Sequence, residues 1–493
     1  MQLPCAETLK ELDPSFPSSS SCHRSDGDAL EGVHADASDA LTQKVLARVP
    51  ELATWKNWYS TPRALRNGHV HTIFAAKTRR TRAVRYHRLF IPTPDGGTLA
   101  IDLLAGIRRV TQGNRVSSAA SFASGGLLPG AAEDTEDTQF VDKPPALDVS
   151  RPLLLLASGL GGGSQDTYVR SMAATAAERG WQVAVVNMRA CGGSPVTSPR
   201  LFSAYRGAND DLRLAVQHLR ATRLGGGGGS APVAVIGWSN SGTILNNVLA
   251  EQATSHAAGV ATTEGASLSG EDAGWGVDAA VSCACPLNMP ANSANLQRRF
   301  HREVYDRNLG KSLQNLWAAA RAEFVDEASG VTRPAPYWDG LSRPGQLDPT
   351  GVEKAGGTFI ADDELARTAS SIRELDEALT RRQYGYASVD DYYAAASSDQ
   401  RLGLLQTPTL LLNAYDDPIV PGTSLRRALD AARANPNLLM ALTSHGGHLG
   451  WCEPDAITGG PTWVERVSCG FLEAVLGLDA ADTCETIGCE VFD

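Results

Sequence analysis

The chain has 493 residues, 42% hydrophobic and 20% charged, a composition that suits a globular protein with a large core. Its net charge of −11 argues against nucleic-acid binding and against a polybasic grip on anionic membranes. No stretch approaches the roughly 18 consecutive apolar residues of a membrane-spanning helix, and nine cysteines in so long a chain do not make a disulfide framework.

Residues 1–44 are rich in Ser, Asp, Glu and Pro and read as a disordered tail. They carry neither an apolar leader nor an arginine-rich transit pattern, so the expectation is a cytoplasmic protein with reduced thiols. Folded character begins near Val45, with Trp55, Trp58 and Tyr59 close behind. His69 and His71 stand two apart with no Cys or carboxylate cluster beside them, which favours packing and hydrogen bonding over metal ligation. Tyr86–Ile91 and Thr98–Leu103, joined through Asp95-Gly96-Gly97, predict a hairpin.

Three low-complexity insertions follow from composition, at about 107–148, 225–230 and 254–274. The five glycines from Gly225 to Gly229 lack the Lys and Thr of a phosphate-binding loop. Between the insertions, strands alternate with helices. Pro152–Ala157 is an apolar strand ending in Ser158-Gly-Leu-Gly-Gly-Gly163. Tyr168–Arg179 predicts a helix, Trp181–Asn187 a strand and Asp210–Arg220 a helix.

The next stretch carries the chemistry. Val233–Ile236 is a strand, Ile244, Leu245, Val248 and Leu249 follow at helical spacing, and Gly237-Trp-Ser-Asn-Ser-Gly242 lies between. A serine on a tight turn from strand to helix is a nucleophile elbow. The usual last glycine is Ser241 here, with Gly242 after it. Val277–Cys285 is the following strand, and Cys283 and Cys285 within it read as core.

From residue 286 to 401 the strand signals stop, and Leu296–Phe324 and Ser371–Leu379 are helical in period. An excursion of this size at this place predicts a helical cap over the site. Residues 45–285 and 402–478 are then two parts of one core, and 479–493 a C-terminal tail. Pro408–Ala414 is a strand that runs into Asp416-Asp417, and Asn437–Thr443 a strand that runs into Ser444-His-Gly-Gly-His-Leu-Gly450.

The serine, acid and histidine appear in the order Ser239, Asp417, His448. An acid that fixes a His tautomer, a His that takes a serine proton and a Ser that attacks a carbonyl form a complete acyl-transfer set. The backbone N–H groups of Leu160 and Asn240 are the expected oxyanion donors. Asp417 is favoured over Asp416 because it stands four residues before Pro421. His448 is favoured over His445 because Gly446, Gly447 and Gly450 surround it.

These residues carry a family resemblance. Arg66-Asn-Gly-His-Val-His-Thr-Ile73, Ser158-Gly-Leu-Gly-Gly-Gly-Ser-Gln-Asp-Thr-Tyr-Val-Arg170, Asn187-Met-Arg-Ala-Cys-Gly-Gly-Ser-Pro195, Asp390-Asp-Tyr-Tyr393, Asn413-Ala-Tyr-Asp-Asp-Pro418 and Gly446-Gly-His-Leu-Gly450 resemble the YheT-like branch of the α/β-hydrolases. That branch includes abhydrolase-domain lipid hydrolases and medium-chain ester synthases/esterases. The chain departs from its pattern at Gly68, Ser158, Ala190 and Ser241, where Pro, His, Gly and Gly are usual.

The resemblance implies an α/β fold, with a mostly parallel eight-stranded sheet flanked by helices and a helical cap insertion. It implies cleavage of carboxylic esters of acyl lipids or medium-chain fatty acids, with no metal and no organic cofactor. The alternatives are acyl transfer through the same acyl-enzyme, or a catalytically weak lipid-binding protein. The expected partner is a small-molecule or lipid ester, not nucleic acid. Membrane contact is expected to be weak, peripheral and little affected by salt, through an apolar mouth carrying Leu296, Phe300, Leu313, Leu316 and Trp317.

Overall fold

The computed structural model describes residues 31–108, 135, 137–223, 231–257, 276–336, 358–453, 460–478 and 489–492. Near-continuous apolar runs produce the strands at the centre of the sheet. Leu153–Ala157 (LLLLA), Gln182–Asn187, Val233–Trp238, Ala279–Cys283, Thr409–Ala414 and Leu438–Thr443 are buried along their whole length. Such strands, covered on both faces, are what a parallel sheet under two layers of helix requires.

In chain order the strands are β1 (Gly32–His34), β2 (Val84–Pro92), β3 (Thr98–Arg108), β4 (Thr138–Phe140), β5 (Leu153–Ala157), β6 (Gln182–Asn187), β7 (Val233–Trp238) and β8 (Ala279–Cys283). The short β9 (Ala335–Pro336) and β10 (Thr358–Phe359) pair only with each other, and β11 (Thr409–Ala414), β12 (Leu438–Thr443) and β13 (Glu490–Phe492) follow. The longer helices include α1 (Ala40–Arg48), α2 (Gly68–Thr78), α3 (Thr167–Glu178), α4 (Gly207–Arg223), α5 (Asn240–Ala257), α6 (Met289–Leu296), α7 (Arg307–Ala320), α8 (Asp363–Thr368), α9 (Val389–Ala396), α10 (Arg426–Ala434) and α11 (Trp463–Leu476).

The sheet runs β1-β12-β11-β8-β7-β5-β6-β3-β2-β4, with β13 paired to β3. From β12 to β6 every pairing is parallel, and β2 and β3 form the predicted antiparallel hairpin. The sheet has 11 strands rather than eight. Eight of them are the long ones, and the three additions, β1, β4 and β13, have 3 residues each. Side chains alternate across the sheet, so Leu153 and Leu155 join one apolar cluster while Leu154 and Leu156 join the other. Each such buried side chain contributes about 1.5–3 kcal/mol.

Two boundaries differ from the sequence reading. Gly32–His34, assigned to the tail, pairs antiparallel with β12, and Asp39 caps α1 by accepting from the N–H groups of Leu41 and Thr42. In the C-terminal tail, Glu490–Phe492 pairs with Gly106–Arg108 of β3. Residues 1–30 and most of the three insertions lie outside the described residues.

Two features of this topology place a site. β5 has β6 on one side and β7 on the other, so strand order reverses there. A crevice forms beyond the C-terminal ends of strands at such a reversal. Between β8 and β11 the chain leaves the sheet as helices. Among them is a continuous helical run from Arg299 to Glu323 that includes a π turn at Arg302–Asp306.

Candidate active site

Ser239 occupies the single residue between β7 and α5. Its φ is 49°, a left-handed conformation that a non-glycine residue holds only under constraint. The constraint comes from both sides. The Ser239 N–H donates to the Cys283 carbonyl at 2.8 Å, and the Ser239 carbonyl accepts from the Gly242 N–H at 2.9 Å. A Cβ on Gly237 would meet the Ser241 carbonyl oxygen at 2.6 Å, so this position of the elbow must be glycine. The usual glycine at 241 is not needed here. The Ser241 side chain is buried, and its hydroxyl donates to the Ser158 carbonyl. The close approach has moved to Gly242, where a Cβ would meet Ser282 Oγ at 2.6 Å.

The acid and the histidine arrive from β11 and β12. Asp417 lies just past β11, buried, and its Oδ1 accepts from the N–H groups of Ile419 at 2.7 Å and Val420 at 2.9 Å. Its Oδ2 lies 2.7 Å from His448 Nδ1. An ionised carboxylate only accepts, so Nδ1 carries the proton and Nε2 is left as the acceptor. His448 Nε2 stands 3.1 Å from Ser239 Oγ. All three residues expected from the sequence are thus brought together. Asp416 and His445 are not part of the set. Asp416 accepts from the Gly447 N–H at 2.9 Å and from His445 Nδ1 at 3.2 Å.

The histidine loop is held from behind by α2, a role that the sequence reading missed. The His448 N–H donates to Thr72 Oγ1 at 2.8 Å. Arg79 donates to the Leu449 carbonyl at 2.8 Å and to the Gly450 carbonyl. His71 is buried and accepts from the Cys452 N–H at 2.9 Å. Burial depresses the His71 pKa to about 4, so it is a neutral acceptor and not a titrating base near neutral pH. His69 pairs through Nδ1 with the Tyr305 hydroxyl at 2.9 Å. Among the described residues no group of three or more His, Cys, Asp or Glu could hold a metal ion.

The loop after β5 supplies the other wall. Ser158 Oγ and Tyr168 Oη each donate to Asp166 Oδ2 at 2.8 Å, and the Gly159 N–H donates to Tyr168 Oη at 3.0 Å. Burial pushes the Tyr168 phenol well above its usual pKa, which keeps it a donor to Asp166. The N–H groups of Leu160 and Asn240 have no acceptor among the described residues, and both residues line the cavity that contains Ser239. Asp166 and Tyr168 lay within a quoted motif, but nothing in their spacing signalled this bracing.

That cavity has a volume of about 130 Å³. Ser239 and His448 form its floor, and Met289, Leu296, Leu309 and Ile372 come from the helical excursion. Leu313 and Leu316 of α7 pack over the same loop, within 3.5 Å and 3.7 Å of where a Cβ on Gly161 would stand. The exposed apolar mouth expected from the sequence is not formed as drawn. Leu296, Leu313, Leu316 and Trp317 are 8%, 4%, 1% and 1% exposed, and only Phe300, at 55%, faces outward. No helix among the described residues is long and apolar enough to cross a membrane.

Known proteins resemble this chain along most of its length. A family model described as the alpha/beta hydrolase fold matches residues 152–453, more than half of the chain. The embryogenesis-associated protein EMB8 of Picea glauca is 28% identical over 410 residues, 83% of this chain and 70% of that protein. The monoacylglycerol lipase of Saccharomyces cerevisiae is 24% identical over 444 residues, 88% of this chain and 84% of that protein. YheT of Escherichia coli is 28% identical over 351 residues, 68% of this chain and 84% of that protein.

Proposed function

Because the chain belongs to the α/β-hydrolase fold family, we propose that it is a serine hydrolase cleaving carboxylic esters of acyl lipids or medium-chain fatty acids. One observation carries the reading: the His448 ring spans Ser239 Oγ at 3.1 Å and Asp417 Oδ2 at 2.7 Å. Ester and lipid hydrolysis in general is further supported by the monoacylglycerol lipase among the relatives.

In the proposed reaction Ser239 Oγ attacks the ester carbonyl carbon while its proton passes to His448 Nε2. The carbonyl oxygen gains charge and is met by the N–H groups of Leu160 and Asn240, with the N-terminus of α5 aimed at the same point. His448 returns the proton to the departing alcohol, leaving an acyl group on Ser239. Water, deprotonated by His448, then attacks the acyl carbon, and His448 returns that proton to Ser239 Oγ as the acid leaves. Asp417 stays ionised, holds the tautomer and stabilises the imidazolium that forms in each half.

The helices between β8 and β11 act as the cap. Met289, Leu296, Leu309 and Ile372 offer the acyl chain an apolar lining, while Asn292, Gln297 and Asp306 leave a polar patch for the alcohol portion. The preferred acyl groups are of medium length. Labelling with a fluorophosphonate, read by mass spectrometry of the labelled peptide, tests the assignment. The adduct is expected on Ser239 and not on Ser241. A missing adduct, or one on another serine that survives Ser239→Ala, would reject it.

A further inference from the structure

Helix α2 has two faces with different jobs. Its inner face carries His71, Thr72 and Ala75, which are buried, and Thr72 holds the catalytic histidine loop. Its outer face carries Val70 and Ile73, which are 49% and 41% exposed. Phe300, 55% exposed, extends this apolar surface, because its ring packs against the His69 ring with centroids 4.9 Å apart. Three of the eight large exposed apolar side chains among the described residues therefore gather beside the histidine loop. Exposed apolar side chains gathered in this way mark an interaction surface.

The charge around it is unlike the rest of the chain. Between Glu51 and Asp95 there are nine Lys or Arg residues and no acid, while the whole chain carries −11. Some of these cations are used internally: Arg79 binds the histidine loop, Arg82 pairs with Glu178 and Arg88 with Asp102. Arg63, Arg66, Lys77 and Arg80 are exposed, and none has a carboxylate partner among the described residues. Arg298 and Arg299, which precede Phe300, are likewise exposed and have no carboxylate partner among the described residues. Burial lowers the His69 pKa, Asp416 opposes this and Arg298 adds to it, which places this cation beside α2. Arg299 also lines a cleft that shares Gln297 with the catalytic cavity, beside Arg302 and Arg307, which pair with Glu374 and Glu303.

We propose that the outer face of α2, together with Phe300 and the cations around it, docks onto an anionic phospholipid bilayer. Val70, Ile73 and Phe300 enter the interface, and Arg66, Lys77, Arg80 and Arg298 meet the lipid phosphates and carboxylates. The fit is one of charge: a basic, apolar face offers an otherwise acidic protein a place to meet such a membrane. Docking there sets His448 about one helix diameter, roughly 10 Å, from the lipid surface. This reverses the expectation, drawn from net charge alone, that membrane contact is indifferent to salt.

The full chain carrying Ser239→Ala, floated with vesicles, tests this without depending on the proposed activity. Binding is expected to vesicles of phosphatidylcholine with phosphatidylserine, to be much weaker on phosphatidylcholine alone, and to fall as salt rises. The double variant Lys77→Gln/Arg80→Gln should lower the partition coefficient on anionic vesicles about 25-fold, roughly fivefold for each cation. Val70→Ser/Ile73→Ser should lower it at least as much. In the otherwise wild-type protein both should leave the hydrolysis of a dispersed short ester and the melting temperature near wild type. Absent binding, or binding indifferent to phosphatidylserine, salt and both variants, would overturn the proposal. So would a concentration-dependent self-association that the same variants abolish, since the face would then join two copies of the chain.

Discussion

Asp416 and Asp417 are neighbours in the chain and hold two different histidines. Asp417 meets His448 Nδ1 at 2.7 Å, while Asp416 meets His445 Nδ1 at 3.2 Å. Asp417→Asn is therefore expected to lower kcat by about 10⁴, because the amide favours the wrong His448 tautomer. Asp416→Asn keeps an acceptor for the Gly447 N–H and should cost less than tenfold. Steady-state kinetics on p-nitrophenyl butyrate separate the two, and the opposite ranking would show that the acid is misassigned by one residue.

The two histidines divide in the same way. His448 is buried and in reach of Ser239 Oγ, while His445 is partly exposed and bonded only to Asp416 among the described contacts. His448→Ala should abolish turnover, and His445→Ala should leave most of it. Equal losses in two folded variants would remove the basis for choosing His448.

The elbow makes a prediction about its unusual serine. Ser241→Gly restores the commoner residue but deletes the hydroxyl that donates to the Ser158 carbonyl. The loss is about 1 kcal/mol, so kcat should fall less than tenfold. Gly242→Ala should do more harm, since its Cβ would meet Ser282 Oγ at 2.6 Å and Cys285 Cβ at 3.0 Å. Overpacking of this kind costs about 1–3 kcal/mol. Thermal melts of the two variants give the ranking directly.

How far the sequence was legible depended on how much signal each element carries. β5, β7, β11 and β12 are continuous apolar runs followed by glycine, serine or carboxylate, and their ends set the positions of Leu160, Ser239, Asp417 and His448. β1, β4 and β13 have 3 residues each, too few for a period, and exist because a neighbouring strand offers an edge. The polar composition before Val45 hid β1 and α1. Helical spacing marked Leu313, Leu316 and Trp317 as apolar, but spacing alone does not say whether such a face meets a core, a cavity or solvent. The structure buries all three. Net charge hid most: a total of −11 averages over a stretch of 43 residues with nine cations and no acid.

His71 gives a prediction in pH. Its pKa is depressed from 6.5 to about 4 in the folded chain by burial. Between those values the unfolded chain binds a proton that the native chain does not. Stability contributed by neutral His71 is thus fully present above about pH 6.5 and is lost as pH falls toward 4. The full span is about 3 kcal/mol. His71→Gln should lower stability at pH 7.5, through the lost bond from the Cys452 N–H, and should flatten the decline between pH 6.5 and 4. Denaturant melts of both proteins across that range check the sign, and a steeper decline in the variant would contradict it.

The central claim is that Ser239 is the nucleophile of an ester hydrolase, and the most direct measurement is the rate of p-nitrophenyl octanoate hydrolysis by the wild-type and Ser239→Ala proteins. The Ser239 side chain is partly exposed on the cavity floor, so the variant should fold and melt like wild type. The account predicts a wild-type rate well above background and a loss of about 10⁴-fold or more in the variant. Comparable rates from the two purified proteins would contradict it.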